Sequence, residues 1–276
     1  MKRITTMLAL FCAVSFATHD EEYEEEEQVI YFTDSIGGAL LQNKQYTGKV
    51  VGCVCGGDCS TEPIDPAEPG YDCTSIVTGN MKNGELDGEY KKAYGWGNLL
   101  GTYKNGKEQG EWKMFYENGN LQSVMNYKDG KRHGEHKMFY DNGKPQSVMN
   151  YKDGVPYGEY KMFYENGNLQ SVMNYKDGKQ HGEHKMFYDN GKPQSVMNYK
   201  DGMPQGEHKS LYESGKLQSV MNYKDGVPQG EYKMFYDNGK PQSVITYKDG
   251  MPHEIKTFDK DGNLQSTKSF KQGVRR

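Results

Sequence analysis

Apolar and polar side chains alternate with a period of two along most of the chain after Gly48. Residues 111–116 and 121–127 both alternate in this way, and Asn118-Gly119 stands between them. Such alternation predicts two β-strands. An Asn-Gly pair predicts a type I′ turn between them, because this turn needs positive φ at both central residues. The stretch therefore predicts a β-hairpin.

The hairpin pattern repeats with a spacing of 24 residues. A 40-residue version opens at Gly48, a 22-residue version opens at Gly88, and a shortened copy begins at Glu254. Asp-Gly pairs such as Asp129-Gly130 predict the turn from each copy to the next. Nearly identical repeats with divergent ends are typical of a solenoid with capping repeats. The six nearly identical copies open at Gly110, Gly134, Gly158, Gly182, Gly206 and Gly230.

Period-two alternation also assigns the two faces of each predicted hairpin. The first face is apolar and aromatic: Trp112, Met114, Tyr116, Leu121, Met125 and Tyr127. The second face is mixed: Lys113, Phe115, Gln122, Val124 and Asn126. With strands about 4.8 Å apart, nine copies predict a ribbon roughly 80–90 Å long. The expected fold class is therefore all-β, an elongated single-layer solenoid of β-hairpin repeats.

Composition agrees with a thin sheet rather than a conventional core. Leu, Ile, Val and Phe make up 16% of the 276 residues, whereas Tyr (22), Met (15) and Gly (34) are abundant. So low an aliphatic content signals disorder when net charge is high, but the net charge here is only −4. A doubly wound α/β enzyme, a helical bundle and a basic nucleic-acid binder are disfavoured.

The N-terminus has the pattern of an export signal. Residues 1–17 combine Lys2 and Arg3 with an apolar run and predict a signal peptide cleaved near Ala17. Cys12 leaves lipidation open as an alternative, although the bulky Phe11 precedes it. The location expected is secreted, periplasmic or at the cell surface, with no transmembrane segment after signal removal.

Residues 18–47 contain eight acidic side chains and one lysine, a net charge of −7. They are expected to form a solvated acidic linker, with an acidic docking tail as the alternative. The whole chain carries −4, of which Lys2 and Arg3 contribute +2, so residues 48–276 carry a net charge of +1. The predicted regions that follow are a cysteine-containing first repeat (48–87), the hairpin repeats (88–253) and a degenerate C-terminal cap (254–276).

Four cysteines remain after the predicted signal peptide, namely Cys53, Cys55, Cys59 and Cys73. An even number in an exported chain favours two disulfides, with three connectivities open. Thiolate ligation of zinc is the alternative. The expected role is to staple a loop that has little core of its own.

Histidines occupy a position filled by aromatic residues in other copies: His136, His184 and His208 align with Trp112, Tyr160 and Tyr232. A position that accepts all three residue types is expected to stack rather than to bind metal, and no metal or cofactor is predicted. Asp259-Lys260-Asp261-Gly262 is expected to be a turn, because the later acidic ligand of a calcium loop is missing. The candidate binding surface comprises Trp112, Tyr116, Tyr127, His136, Tyr140, Tyr151, Tyr160, Tyr164, Tyr175, His184, Tyr188, Tyr199, His208, Tyr232 and Tyr236.

The repeated motif resembles the bacterial variant of the MORN repeat. The matching residues run Gly-Glu-Trp-Lys-Met-Phe-Tyr-Glu-Asn-Gly-Asn-Leu from Gly110, followed by Asn-Tyr-Lys-Asp-Gly from Asn126. The resemblance implies an open, meandering hairpin solenoid used as an interaction scaffold. Many bacterial members of that family resemble proteins labelled as YwqK-type antitoxins. The predicted signal peptide of this chain differs from what a cytoplasmic antitoxin would have.

These patterns favour an exported, non-enzymatic scaffold that binds a protein partner at the cell envelope, the cell surface or a host surface. No nucleophile elbow, phosphate loop or metalloprotease motif occurs in the sequence. The alternatives are a cell-wall, carbohydrate or choline-type binding module, and an antitoxin-like or immunity protein. The segments between copies, such as 131–133 and 155–157, vary most and are expected to tune recognition.

Overall fold

The computed structural model describes the backbone of residues 28–29, 32–33, 48–55, 73–94 and 97–270, and the side chains of 77–94 and 97–270. These residues form β-strands joined by short turns, which confirms the all-β, hairpin-repeat fold class. The predicted signal peptide, most of the predicted linker and Cys59 lie outside the described residues. Where the chain is described, it contains no helix with the length and apolar character needed to cross a membrane.

The chain divides into two compact units, residues 1–131 and 132–276. This division differs from the boundaries predicted from the repeats, which stay predictions. In the first unit the strands are β1 (Gln28–Val29), β2 (Phe32–Thr33), β3 (Gly48–Cys55), β4 (Cys73–Lys82), β5 (Glu85–Tyr94), β6 (Gly97–Lys104), β7 (Lys107–Tyr116) and β8 (Leu121–Lys128). The strands β1 and β2 pair in parallel with β3, and the later neighbours pair antiparallel.

The second unit is also an antiparallel meander. Its strands are β10 (Gly134–Phe139), β11 (Pro145–Lys152), β12 (Val155–Phe163), β13 (Leu169–Lys176), β14 (Lys179–Gln180), β15 (Gly182–Phe187), β16 (Pro193–Lys200), β17 (Met203–Leu211), β18 (Leu217–Lys224), β19 (Val227–Phe235), β20 (Pro241–Lys248), β21 (Met251–Phe258) and β22 (Leu264–Ser269). The two-residue strand β9 (Lys131–Arg132) lies at the division. Three strands of this unit begin with proline, which has no N–H to donate to a ladder.

Strand register confirms the two predicted faces around Trp112 and Lys113. It does not do so at the hairpin end, where Phe115, predicted on the second face, pairs with Leu121, predicted on the first, after a register shift. Trp112 lies opposite Met125 and Met114 lies opposite Ser123, whereas Lys113 lies opposite Val124. The same pairing recurs in the second unit, where His136 lies opposite Met149 and Lys137 opposite Val148. Within each unit we call the Trp112 or His136 side the aromatic face and the lysine side the ion-pair face.

The turn assignment was wrong for the Asn-Gly pair inside the hairpin, Asn118-Gly119. Asn118 does not have positive φ; only Gly119 does, at 83°. The Gly119 N–H donates to the Tyr116 carbonyl and the Tyr116 N–H donates to the Asn120 carbonyl, as in a three-residue hairpin loop. The Asn118 side chain instead accepts a hydrogen bond from the Asn120 N–H at 2.9 Å. Asparagine therefore stabilises this loop through its side chain rather than through its backbone conformation.

The type I′ geometry belongs to the turns between copies. Asp129 (φ 52°) and Gly130 (φ 77°) both have positive φ, and so do Asp153 and Gly154. Such a turn twists with the flanking strands and closes a two-residue hairpin. Asn105-Gly106 is a turn of the same kind, with φ of 49° and 69°. The strand after it therefore starts earlier than the sequence pattern suggested, at Lys107 rather than at Glu111 for β7.

Candidate functional site

Few apolar side chains are buried among the described residues. They are Met81, Trp112, Met173 and Met221, with exposures of 3 to 8%. Most other side chains on both faces are half-buried or exposed. In each unit, the surface available for function is thus the sheet itself.

In the first unit the aromatic face carries a ring cluster around Trp112. Its indole lies 5.1 Å from the Tyr103 ring, 5.6 Å from Tyr90 and 5.9 Å from Tyr127, measured between centroids. The contacts with Tyr103 and Tyr127 are edge-to-face, an arrangement that is favourable for aromatic pairs at these distances. Burial, followed by the charge of Tyr94, raises the pKa of Tyr90 to about 12, and the Tyr103 pKa is also raised, chiefly by burial. These phenols therefore stay neutral at physiological pH.

Gly101 makes room for this indole. A Cβ atom built on Gly101 would overlap the Trp112 ring, although the backbone φ of Gly101 is ordinary. Space, and not backbone conformation, requires glycine here. The predicted binding residue Trp112 is 4% exposed, so it packs inside the sheet face rather than projecting from it.

In the second unit the equivalent position holds histidine or tyrosine, always opposite a large aliphatic or thioether side chain. The pairs are His136–Met149, Tyr160–Met173, His184–Met197, His208–Met221 and Tyr232–Ile245. The expected alignment of these residues along one position is therefore confirmed. Burial lowers the pKa of His136, His184 and His208, with further lowering of His136 by the charge of Arg132 and of His184 by that of His208.

A row of buried serines lies beside this position, and the predicted faces did not include it. Ser147 lies opposite Met138 on one side and Met162 on the other. Its small side chain leaves space for the two flanking thioethers, and the serine itself is 7% exposed. The equivalents Ser123, Ser171, Ser219 and Ser243 are buried as well. Side chains enclosed in this way do not present hydroxyls as surface nucleophiles.

Several candidate tyrosines connect one repeat to the next. The Tyr164 hydroxyl donates to the Phe187 carbonyl at 2.7 Å, and the Tyr188 hydroxyl donates to the Leu211 carbonyl at 2.7 Å. Tyr140, Tyr212 and Tyr236 make the same bond to the following repeat. These hydroxyls contribute to the stability of the sheet, and only their rings remain for contact with a partner.

The remaining candidate tyrosines of the second unit lie opposite the glycine that opens each copy. Tyr151 pairs with Gly134 on one side and with Pro156 on the other, and the Arg132 guanidinium lies over its ring at 5.4 Å. The Tyr175 hydroxyl donates to the Met173 sulfur at 3.6 Å. Tyr199 repeats the arrangement opposite Gly182. These rings form a half-buried edge of the aromatic face.

The ion-pair face carries one Glu–Lys pair per copy. Lys137 Nζ lies 2.6 Å from Glu135 Oε1, and Lys233 Nζ lies 2.9 Å from Glu231 Oε2. Each pair sits two residues apart on one strand with both side chains about half exposed. Exposed pairs add little stability, so this face is a neutral, hydrated surface of alternating charge.

Segments between copies, predicted to tune recognition, contact the neighbouring turns. The Gln109 amide donates to Asp129 Oδ1 at 2.7 Å, and His133 Nδ1 lies 3.3 Å from Asp153 Oδ1. His181 and Asp201 repeat the second arrangement at 3.3 Å. Each contact ties a residue just before the copy's glycine to the next Asp-Gly turn. Apolar residues such as Val155 and Met203 nevertheless stay 43% and 47% exposed beside these contacts.

The cysteine prediction lies at the margin of the described residues. The backbone register places Cys55 of β3 opposite Cys73 of β4, and Cys53 opposite Ile76. Of the connectivities left open, the register brings together the backbones of one pair. The disulfides themselves stay a prediction.

Other chemistry finds little support within the described ranges. They contain no group of three or more His, Cys, Asp or Glu side chains arranged to hold a metal ion. A shallow, open depression of about 470 Å³ lies on the ion-pair face of the first unit, between Glu89, Lys91, Glu111 and Lys113. The Asp259–Gly262 segment is a turn, as expected, in which Asp259 Oδ1 accepts the N–H groups of Asp261 and Asn263.

Comparison with known proteins gives one informative match. A family model described as MORN repeat variant matches six consecutive segments, at residues 108–129, 132–153, 156–177, 180–201, 204–225 and 228–249. No curated protein matches the chain. Among solved structures, the crystal structure of a GtfA/B complex bound to UDP and GlcNAc is similar over 41% of this chain and 22% of that chain, with 10% identity and a TM-score of 0.19. So low a score carries no inference about fold or function.

Proposed function

The chain belongs to the MORN repeat variant family, and on that premise we propose that it is an exported, non-enzymatic scaffold whose aromatic face binds a protein partner. Repeats of this family are generally modules that bind proteins or membranes. The export signal and the envelope or surface location belong to the proposal.

The observation that carries the proposal is the uncovered aromatic face of the second unit. Tyr, Met or His side chains recur there in every copy, yet among the described residues of that unit the buried apolar ones are only Met173 and Met221. Met138 and Met186 are 38% and 37% exposed at equivalent positions. Equivalent side chains presented at regular intervals suit an extended or multivalent protein contact.

Polarity separates the two faces as partner surfaces. Protein interfaces are enriched in Tyr, Met and aromatic residues and depleted in Lys and Glu at their centres. The aromatic face presents the residue types that are enriched at interfaces. The ion-pair face presents Glu and Lys, the types that are depleted there. A protein partner is therefore assigned to the aromatic face.

A photo-crosslinking amino acid at single positions of the full chain tests this assignment. Placed at Met138 or Met186, it is expected to give a saturable crosslink to a protein of the envelope or host surface. The matched control places it at Lys137 or Lys185, one residue away on the ion-pair face, where we expect no crosslink. Equal crosslinking from both faces, or none from either with protein of the native fold, would contradict the proposal.

Export is tested separately by fractionation of the native producing cell. The expected result is mature protein lacking residues 1–17 in the periplasm, envelope or medium. Full-length protein confined to the cytoplasm would remove the envelope setting, and it would favour the antitoxin-like alternative if a toxin gene lies beside this one.

A further inference from the structure

Three potential soft-metal ligands lie side by side on the aromatic face of the second unit. His184 on β15 pairs with Met197 on β16, and His208 lies on the next strand, β17. Neighbouring strands are about 4.8 Å apart. A register shift between β16 and β17 leaves Met197 opposite residues 206–208, so the two imidazoles flank Met197. The charge of His208 lowers the pKa of His184, as expected of two imidazoles in proximity. The order along the sheet is thus imidazole, thioether, imidazole.

The imidazole of His184 has an unused nitrogen in this row. Its Nε2 atom is buried and finds no hydrogen-bond partner in the described structure. A buried polar atom without a partner costs free energy unless something binds it. A metal ion would supply such a partner, because a neutral imidazole nitrogen is a common metal ligand.

The rungs on either side of this row carry no carboxylate. On one side lie Gly182, Tyr199, Gly206 and Tyr223, and on the other lie Met186, Ser195, Ser210 and Ser219. Divalent ions such as Mg²⁺ and Ca²⁺ need oxygen ligands, and zinc sites are built from thiolate, imidazole and carboxylate. Thioethers favour Cu(I), and imidazole also suits copper.

From this ligand set we propose that His184, Met197 and His208 bind a soft monovalent metal ion of the Cu(I) type. A neutral imidazole is the form that ligates a metal, and its nitrogen suits a soft ion beside a thioether. The neutral surroundings match a single positive charge. The site was not predicted from the sequence, because imidazole spacing was considered without the methionines of the facing strands.

The repeat supplies its own control. His136 also pairs with Met149, but the next residue along the row is Tyr160, so this pair has one imidazole where the proposed site has two. Tyrosine occupies the equivalent position at Tyr160 and Tyr232, and isoleucine replaces the facing methionine at Ile245. Substitutions to tyrosine and isoleucine are therefore compatible with the fold.

The test titrates Cu(I) into the full chain without oxygen, in competition with the chelator bicinchoninate. The thiols are first alkylated so that the cysteines do not bind the metal. We expect the unsubstituted chain to bind one more equivalent than the H184Y/H208Y variant, and H136Y to bind as the unsubstituted chain does. M197I should weaken binding about tenfold or more, since even the loss of an outer-shell contact costs 10- to 100-fold. X-ray absorption should show both sulfur and nitrogen ligands, with the sulfur signal reduced in M197I.

Three results would overturn the proposal. The first is equal Cu(I) binding by the unsubstituted chain and by H184Y/H208Y. The second is a loss in H136Y as large as the loss in H184Y/H208Y. The third is displacement of Cu(I) by an equal concentration of Zn²⁺, which would contradict the soft, thioether-containing site. Circular dichroism of each variant establishes that the sheet is retained.

Discussion

The same repeat position is filled in two different ways in the two units. In the first unit Trp112 is 4% exposed and packs where Gly101 leaves space. In the second unit Tyr160 and the histidines are half-buried, and each faces a methionine. A large ring with a glycine neighbour gives a local core, whereas a smaller ring with methionine neighbours gives an adaptable surface. The first unit is thus the better candidate for stability and the second for binding.

Removing the indole should give the largest effect. W112A loses the centre of a four-ring cluster, and Trp→Ala substitutions in cores cost about 3–5 kcal/mol of unfolding free energy. The matched variant Y232A removes a half-buried ring from the second unit and should cost clearly less. Guanidinium unfolding of the full chain, followed by circular dichroism, measures both. Equal losses of unfolding free energy in W112A and Y232A would contradict the assignment of Trp112 to a core and of Tyr232 to a surface.

Replacing Gly101, the neighbour of Trp112, should convert the packing of the first unit towards that of the second. G101M places a side chain where the indole lies and should destabilise by about 1–3 kcal/mol through overpacking. The double variant G101M/W112Y recreates the Met149, Tyr160, Met173 arrangement of the second unit and should recover part of that loss. The coupling energy of the double-mutant cycle is the measurement. Additive effects would show that Gly101 and Trp112 do not depend on each other.

The comparison also separates what the sequence predicts from what it leaves open. Hairpins, faces and the equivalence of Trp112 with His136 follow from period-two alternation and a fixed repeat length. The turn types did not follow from the sequence. Asn-Gly and Asp-Gly both predict a type I′ turn, but the strand register decides the loop length. Here Phe115 pairs with Leu121 after a register shift, which leaves a three-residue loop with positive φ only at Gly119.

The alternation of apolar and polar residues did not predict the contacts between copies either. The Tyr188 hydroxyl reaches a carbonyl 23 residues away, and alternation says nothing of groups so far apart in the chain. Ser147 reads as polar and exposed, yet it is buried because methionines on both neighbouring strands need a small residue between them. For the same reason the His184–Met197 row emerged only once the facing strands were known.

Removing one hydrogen bond between copies should lower the unfolding free energy by a moderate amount. Y188F keeps the ring and loses the hydrogen bond to the Leu211 carbonyl, for an expected cost of about 0.5–1.5 kcal/mol. The control Y157F alters a ring that is 45% exposed and should be close to neutral. Amide exchange should increase mainly near Leu211 in Y188F. A cost no greater than that of Y157F would mean that the hydroxyl does not stabilise the second unit.

Acidification should give the smallest effect and should act on the second unit. Burial holds the pKa of His136, His184 and His208 below the ordinary value of about 6.5, so the unfolded chain binds protons more readily than the folded one. Their contribution to stability is thus fully present above about pH 6.5 and is lost as pH falls through the lower, folded-state pKa values. The difference in unfolding free energy between the unsubstituted chain and H184Y/H208Y, measured at pH 7.5 and at pH 5.0, should shift in favour of the variant at the lower pH. An unchanged difference would mean that these imidazoles titrate alike in both states and that the aromatic face of the second unit is as hydrated as its ion-pair face.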